Sequence, residues 1–97
     1  MNEQHSITAA VHMHSDWSYD GEWPLDRLAA CFARRGCRVL LMSEHDRGFD
    51  EARWQAYRQA CQAASTDRLL LVPGMEYSDP TNTIHILTWG EAPFLGA

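Results

Sequence analysis

The feature that most constrains the fold is an alternation of short apolar segments with amphipathic segments of helical spacing. Nearly continuous apolar runs are typical of strands buried in a parallel sheet, and the helices between them supply the crossovers. The predicted strands are residues 6–13, 38–43, 69–72 and 83–89, and the predicted helices are residues 24–35 and 51–64. The sequence therefore predicts an α/β fold whose parallel sheet is covered by crossover helices on both faces.

Local signals mark both predicted helices. Pro24 suits the first turn of the first helix, and Gly36 suits its C-terminal end. Asp50 is a candidate N-cap for the second helix. Trp54, Tyr57 and Cys61 recur at helical spacing, so we expect them on the face of the second helix that packs into the core.

Composition narrows the class of protein. The 97 residues suffice for one small domain, and their content of 45% hydrophobic and 22% charged residues predicts a globular core. The net charge of −5 argues against binding nucleic-acid backbones by bulk charge, and the absence of Lys excludes Schiff-base and P-loop chemistry. Three Cys without a C-x-x-C spacing suggest reduced thiols. Neither a membrane span nor a signal peptide is visible, so we expect a cytoplasmic location by default.

Polar side chains cluster where the predicted strands end. In parallel α/β folds the carboxyl ends of the strands meet at one edge, where ligands bind. His12 and His14 lie two residues apart at the end of the first strand, so side-chain alternation would place both on one side. Alone, this H-x-H pattern fits a metal site and a pair of surface histidines equally well. The whole set is His12, His14, Asp20, Glu44, His45, Asp46, Glu76 and, inside its strand, His85.

Four motifs within this set resemble those of the PHP domains, a family named for polymerase and histidinol phosphatase. In chain order they are His12, Met13, His14 and Ser15 followed by Asp20 and Gly21; Ser43, Glu44 and His45; Gly74, Met75 and Glu76; and His85 in an apolar strand. Glu44 stands where the family more often has Asp. The resemblance covers residues 6–90 of this chain but only the N-terminal half of a PHP domain.

The resemblance implies a fold and a metal cluster. The fold is a distorted seven-stranded barrel similar to the TIM barrel, of which residues 1–97 would supply the first three to four β/α units. His12, His14 and Glu76 would hold one divalent metal, Glu76 would bridge to a second that also takes His85, and Asp20 with His45 would hold a third. Imidazole and carboxylate ligands suit Zn²⁺, Mn²⁺ or Fe²⁺. Later family motifs would supply further ligands that this chain lacks.

The implied activity is hydrolysis of a phosphoester by a metal-activated hydroxide in a dinuclear or trinuclear site. Glu76, Asp20 and His45 are the candidate catalytic residues, and the substrate would be a phosphorylated small molecule or a short oligonucleotide. One alternative is a catalytically silent metal-binding fragment. Another is an accessory or proofreading module of a DNA polymerase, which the acidic charge does not favour. Whether this chain is itself an enzyme stays open.

An incomplete barrel has consequences for stability. It would expose a sheet edge and one uncovered face. We therefore expect the chain to be a fragment or truncated reading frame that needs its missing half or self-association for a stable fold.

Several neighbouring residues have two interpretations. Glu44 and Asp46 either orient His45 or are solvated loop carboxylates. Arg47 either contacts a substrate phosphate or lies on the surface. Three aromatic residues either stack on a substrate or pack at the barrel mouth: Trp17, Tyr19 and Tyr77.

Overall fold

The computed structural model describes residues 7–90 and 94–95. This part of the chain folds into six strands and two helices. In chain order they are β1 (Ala9–Met13), α1 (Leu25–Arg34), β2 (Val39–Met42), β3 (Glu44–His45), α2 (Glu51–Ala64), β4 (Leu70–Val72), β5 (Gly74–Ser78) and β6 (His85–Trp89). No helix among the described residues has both the length and the apolar character of a membrane span.

The strands form two three-stranded sheets. The first has the order β1-β2-β4 and is parallel, with Ala10 opposite Leu40 and Leu40 opposite Leu71. The second has the order β3-β5-β6, in which β3 and β5 are parallel whereas β5 and β6 are antiparallel. The chain is thus a mixed α/β fold, as predicted in class. The described strands form no closed barrel, so that part of the fold stays a prediction.

Two strands lie outside the four predicted from the sequence. Glu44 and His45 form β3, which pairs with Met75 and Glu76. Residues 74–78 form β5 directly after β4. Their strand character comes from pairing with each other, a contact between residues distant in sequence that local composition does not reveal.

The last strand was expected to be parallel to the others, and this prediction is wrong. Only residues 79–84 separate β5 from β6. A parallel crossover needs a dozen or more residues, whereas a short connection returns the chain antiparallel. The direction of β6 therefore follows from the position of β5.

Both helices follow their sequence signals. The Asp50 side chain accepts a hydrogen bond from the Arg53 N–H at 2.7 Å, which caps α2 as predicted. Gly36, just after α1, has a φ of 85°, a left-handed conformation that ends the helix at low cost for glycine.

The core lies between the helices and one face of the parallel sheet. Leu40 and Met42 of β2 are fully buried there, together with Tyr57 and Cys61 of α2. Burial alternates along β2 and β4, so Leu70, on the opposite face, is 52% exposed. The expectation that helices cover both faces is therefore wrong for the described residues. Other exposed large apolar side chains include Ile7, Val11, Ile84, Ile86, Trp89 and Leu95.

Candidate metal centre

Three of the expected ligands converge where the end of β1 meets the middle of β5. The Nε2 atom of His12 lies 2.9 Å from Oε1 of Glu76, and Nε2 of His14 lies 3.6 Å from the same oxygen. Candidate ligand atoms of all three residues lie within 4.8 Å of one another. Two imidazoles and one carboxylate at this spacing form a group that can hold a divalent metal.

The backbone brings His12 to this position in an unexpected way. The pairing of β1 with β2 shifts register between Val11 and Met13, and His12 has a φ of 63°. Strand alternation is interrupted there, so it does not explain why His12 and His14 meet. A left-handed backbone costs a residue with a Cβ atom about 1 kcal/mol. The local conformation that points His12 at Glu76 is therefore a strained one.

Glu76 is the centre of the cluster. Its carboxylate is almost completely buried on β5, and two further histidines face it. The Nδ1 atom of His85 lies 3.3 Å from Oε2, and Nδ1 of His45 lies 3.9 Å from Oε1. Burial by itself would raise the pKa of Glu76, but the hydrogen bond and charge of His12, with His45 and His14, outweigh it and lower that pKa. Glu76 is therefore an anion at neutral pH.

Asp20 and His45 form a second pair on the rim. The Nε2 atom of His45 lies 3.5 Å from Oδ2 of Asp20, whose side chain is half exposed. The ring of His45 stacks on that of His14, with centroids 4.3 Å apart and planes within 10°. Burial, followed by the charge of His45, lowers the pKa of His14. His14 is therefore neutral at pH 7, which is the form that binds a metal.

The donor set fits the metals that the resemblance implies. Neutral imidazoles with an ionised carboxylate suit zinc, manganese and iron. Among the described residues, the buried Nδ1 atom of His14 has no hydrogen-bond partner. A buried nitrogen without a partner is costly. The described protein groups therefore do not satisfy this side of the ring, which a metal ligand would explain.

Glu44 does not face the cluster but anchors the loop that carries it. The side chain is fully buried and accepts four hydrogen bonds. The donors are the Ser15 N–H at 2.8 Å, the hydroxyls of Ser15 and Ser18 at 2.6 Å each, and the Tyr57 hydroxyl at 2.8 Å. The interpretation of Glu44 as a solvated loop carboxylate is therefore wrong.

The same network reaches His45 through its backbone. The Ser18 hydroxyl oxygen accepts a hydrogen bond from the His45 N–H at 2.9 Å. Glu44 thus fixes Ser18, and Ser18 fixes the backbone of a candidate ligand. The sequence alone did not predict this role for Ser15 and Ser18. The available signal was two hydroxyls in the loop that follows the H-x-H motif.

A cavity of about 440 Å³ adjoins the cluster, and its walls include Tyr19, Asp20, His45, Arg47, Asn82 and His85. Tyr19 is 60% exposed, and its ring centroid lies 5.4 Å from that of His45. Asp46 also lines this cavity. The candidate ligands on the rim are thus open to a small molecule.

Two of the aromatic residues pack within the protein. Trp17 contacts Tyr57, with ring centroids 5.5 Å apart, and is covered by Arg53 at 4.6 Å. Tyr77 contacts Phe94 at 5.8 Å between ring centroids. For these two residues the packing interpretation holds, whereas Tyr19 faces the cavity.

Comparison with known proteins gives a structural match. No protein-family model and no curated protein sequence matches the chain. A crystal structure from Bifidobacterium adolescentis, of a protein described as a candidate metal-dependent phosphoesterase, matches with a TM-score of 0.55 and 20% identity. The match covers 88% of this chain but 27% of that chain. At this identity the likeness concerns the fold, and the chain spans about a quarter of the length of the solved protein.

Proposed function

We propose that this chain supplies the N-terminal part of the metal centre of a PHP-type metal-dependent phosphoesterase. The observation that carries the proposal is the convergence of His12, His14 and Glu76, with ligand atoms within 4.8 Å. The fold match to a candidate metal-dependent phosphoesterase and the four motifs support it.

Each residue has a proposed part in binding. His12, His14 and Glu76 hold the first divalent cation. The lowered pKa values of His14 and Glu76 favour the neutral imidazole and the carboxylate that bind a metal. Glu76 also faces His85 through its other oxygen, so one carboxylate can serve two cations. A bound divalent cation supplies charge to phosphoryl oxygens and lowers the pKa of a water molecule.

Asp20 and His45 act at the open side of the cluster. They face each other at 3.5 Å and line the cavity, so they can hold a further cation and orient a substrate entering from that side. Asp20 is half exposed, so a small molecule in the cavity can reach its carboxylate. The proposed substrate is a phosphorylated small molecule or a short oligonucleotide.

A silent metal-binding module is the second candidate. Among the described residues, the His85 and Glu76 pair and the His45 and Asp20 pair each offer two protein ligands to their metals. A zinc site normally takes three or four ligands from its protein. The remaining ligands would come from a longer protein or from a second copy, for which the exposed Ile84 and Ile86 offer an apolar edge.

Metal content tests the proposal. The chain is purified without chelators beside a His12→Ala/His14→Ala double variant, and zinc, manganese and iron are measured by elemental analysis. A His5→Ala variant is the matched control, since His5 is the one histidine outside the four motifs. We expect about one or more metal ions per chain in the parent and the control, and a loss in the double variant.

Equal metal content in all three proteins would contradict the proposal, provided circular dichroism shows that each is folded. Hydrolysis of a generic phosphomonoester such as p-nitrophenyl phosphate then separates the two candidates. Turnover that disappears in the double variant supports the enzyme, and metal binding without turnover supports the silent module.

A further inference from the structure

The cavity beside the candidate metal centre is lined by a single arginine. The chain has no Lys, and among the described residues Arg47 is the only Arg that lines this cavity. Two other arginines have partners elsewhere in the structure. Arg53 donates to the Trp17 carbonyl at 2.7 Å, and Arg27 lies over Trp23 at 4.8 Å. An anion in this cavity that is not held by a metal therefore has one permanently cationic side chain to bind, Arg47.

Arg47 is held in place while its hydrogen-bond donors stay available. Its guanidinium carbon lies 4.7 Å from the ring centroid of Tyr19, a contact typical of cation–π stacking. Asp20 and Asp46 line the same cavity, yet neither forms an ion pair with Arg47 in the described structure. Stacking uses the face of the guanidinium and leaves its N–H groups in the plane, where they can bind a carboxylate or phosphate in a bidentate manner.

Tyr19 connects Arg47 to the candidate metal ligands. Tyr19 contacts the ring of His45 at 5.4 Å and the guanidinium of Arg47 at 4.7 Å. A phosphoryl group held by metal ions at the candidate ligands would leave the Arg47 guanidinium available to another part of the same molecule.

A second part of the cavity wall, the turn at residues 79–84, is preorganised. Asp79 accepts hydrogen bonds from the N–H groups of Thr83 and Ile84 at 2.7 and 2.8 Å, and also from the Thr81 hydroxyl. Asn82, in this turn, has a left-handed φ of 57° and lines the cavity. These hydrogen bonds hold the turn in one conformation, which lowers the ordering cost of binding a ligand there.

We propose that Arg47, stacked on Tyr19, forms a subsite for a second oxyanion of the substrate. The inference rests on the proposed function and narrows its substrate class to phosphoesters that carry a further acidic group. The acidic neighbours Asp20 and Asp46 repel a lone anion, so without Arg47 this end of the cavity would disfavour such a substrate.

The test compares two ligands that differ by one carboxylate. Phosphoglycolate and ethyl phosphate are titrated by calorimetry into the parent chain and into Arg47→Gln, Arg47→Lys and Arg27→Gln variants. Arg27 is the matched control because it is also an Arg stacked on an aromatic ring, that of Trp23. Every titration is run with and without zinc, and zinc binding is measured separately on the same samples.

We expect the parent chain to bind phosphoglycolate about tenfold more tightly than ethyl phosphate, as for a charge-assisted bidentate contact. Arg47→Gln should abolish this preference, Arg47→Lys should keep part of it, and Arg27→Gln should keep all of it. Zinc affinity should be equal in all four proteins.

Two results would overturn the subsite. One is an unchanged preference in Arg47→Gln, which would mean that the carboxylate binds elsewhere, for example to the metal. The other is a parent chain without any preference for phosphoglycolate. A parent chain that binds no zinc would contradict the proposed function instead, and the titrations without zinc would still decide whether Arg47 recognises the second anion.

Discussion

Removal of the Glu44 carboxylate should destabilise the fold more than any other single truncation of a charged side chain in the described structure. The carboxylate is fully buried and accepts hydrogen bonds from one backbone N–H and three hydroxyls. Each buried donor left without a partner costs about 1–3 kcal/mol. Because the donors are neighbours and hydroxyls can reorient, their costs do not add fully.

For Glu44→Ala we therefore expect a loss of about 4 kcal/mol or more in the free energy of unfolding, against a total of about 5–15 kcal/mol for an ordinary domain. Glu44→Gln keeps one carbonyl oxygen for the Ser15 N–H, and its NH₂ group can donate to hydroxyls that reorient as acceptors. It should lose about 1–2 kcal/mol. Because the network holds the backbone of His45 through Ser18, both variants should also bind zinc more weakly.

Urea denaturation followed by circular dichroism measures the loss. Glu22→Ala is the control, since Glu22 is exposed and its replacement should change the free energy of unfolding by less than about 0.5 kcal/mol. If Glu44→Ala does not fold, Glu44→Gln provides the measurement. The reasoning would be refuted by a Glu44→Ala protein that unfolds within about 1 kcal/mol of the parent, because that result means the network adds little net stability.

Two further predictions concern the core and the sheets. Burial raises the pKa of the Cys61 thiol from 9.0 to about 12, so above pH 9 the unfolded chain loses this proton first and stability falls as pH rises. The slope from this group approaches about 1.4 kcal/mol per pH unit. Unfolding free energies measured at pH 9 and 10 should therefore differ less in Cys61→Ala than in the parent, and equal slopes would contradict the assignment. A Cβ atom on Gly74 would overlap the Met42 carbonyl oxygen and lie 2.8 Å from that of Thr88, so Gly74→Ala should separate β5 from its neighbours. Loss of cooperative thermal unfolding would show this, with Gly48→Ala as a milder control whose Cβ meets no atom within 4 Å.

The sequence predicts those elements that depend on residues close along the chain, and it misses those that depend on distant residues. The bounds of α2 were predicted to the residue, because its cap Asp50 and its buried face Trp54, Tyr57 and Cys61 are set by neighbours along the chain. The short strand at Glu44 and His45 was missed, since it exists only through pairing with β5. The predicted direction of β6 was wrong because β5, the strand with which β6 pairs, was not predicted.

The candidate site was predicted in composition but not in detail. The motifs placed His12, His14 and Glu76 at strand ends, and the structure brings them together. The other expected ligands also lie in facing pairs, His85 with Glu76 and His45 with Asp20. Their roles as ligands stay a prediction. The buried network around Glu44 was not foreseen, because it needs the loop after β1 and the face of α2 to meet in three dimensions.

The left-handed backbone of His12 costs conformational free energy but directs a candidate ligand at Glu76. A glycine there would adopt the same φ of 63° without the Cβ clash, but the imidazole and its hydrogen bond to Glu76 would be lost. Relief of the backbone strain at this position would therefore remove a candidate metal ligand. The strained conformation is what directs the His12 imidazole at Glu76.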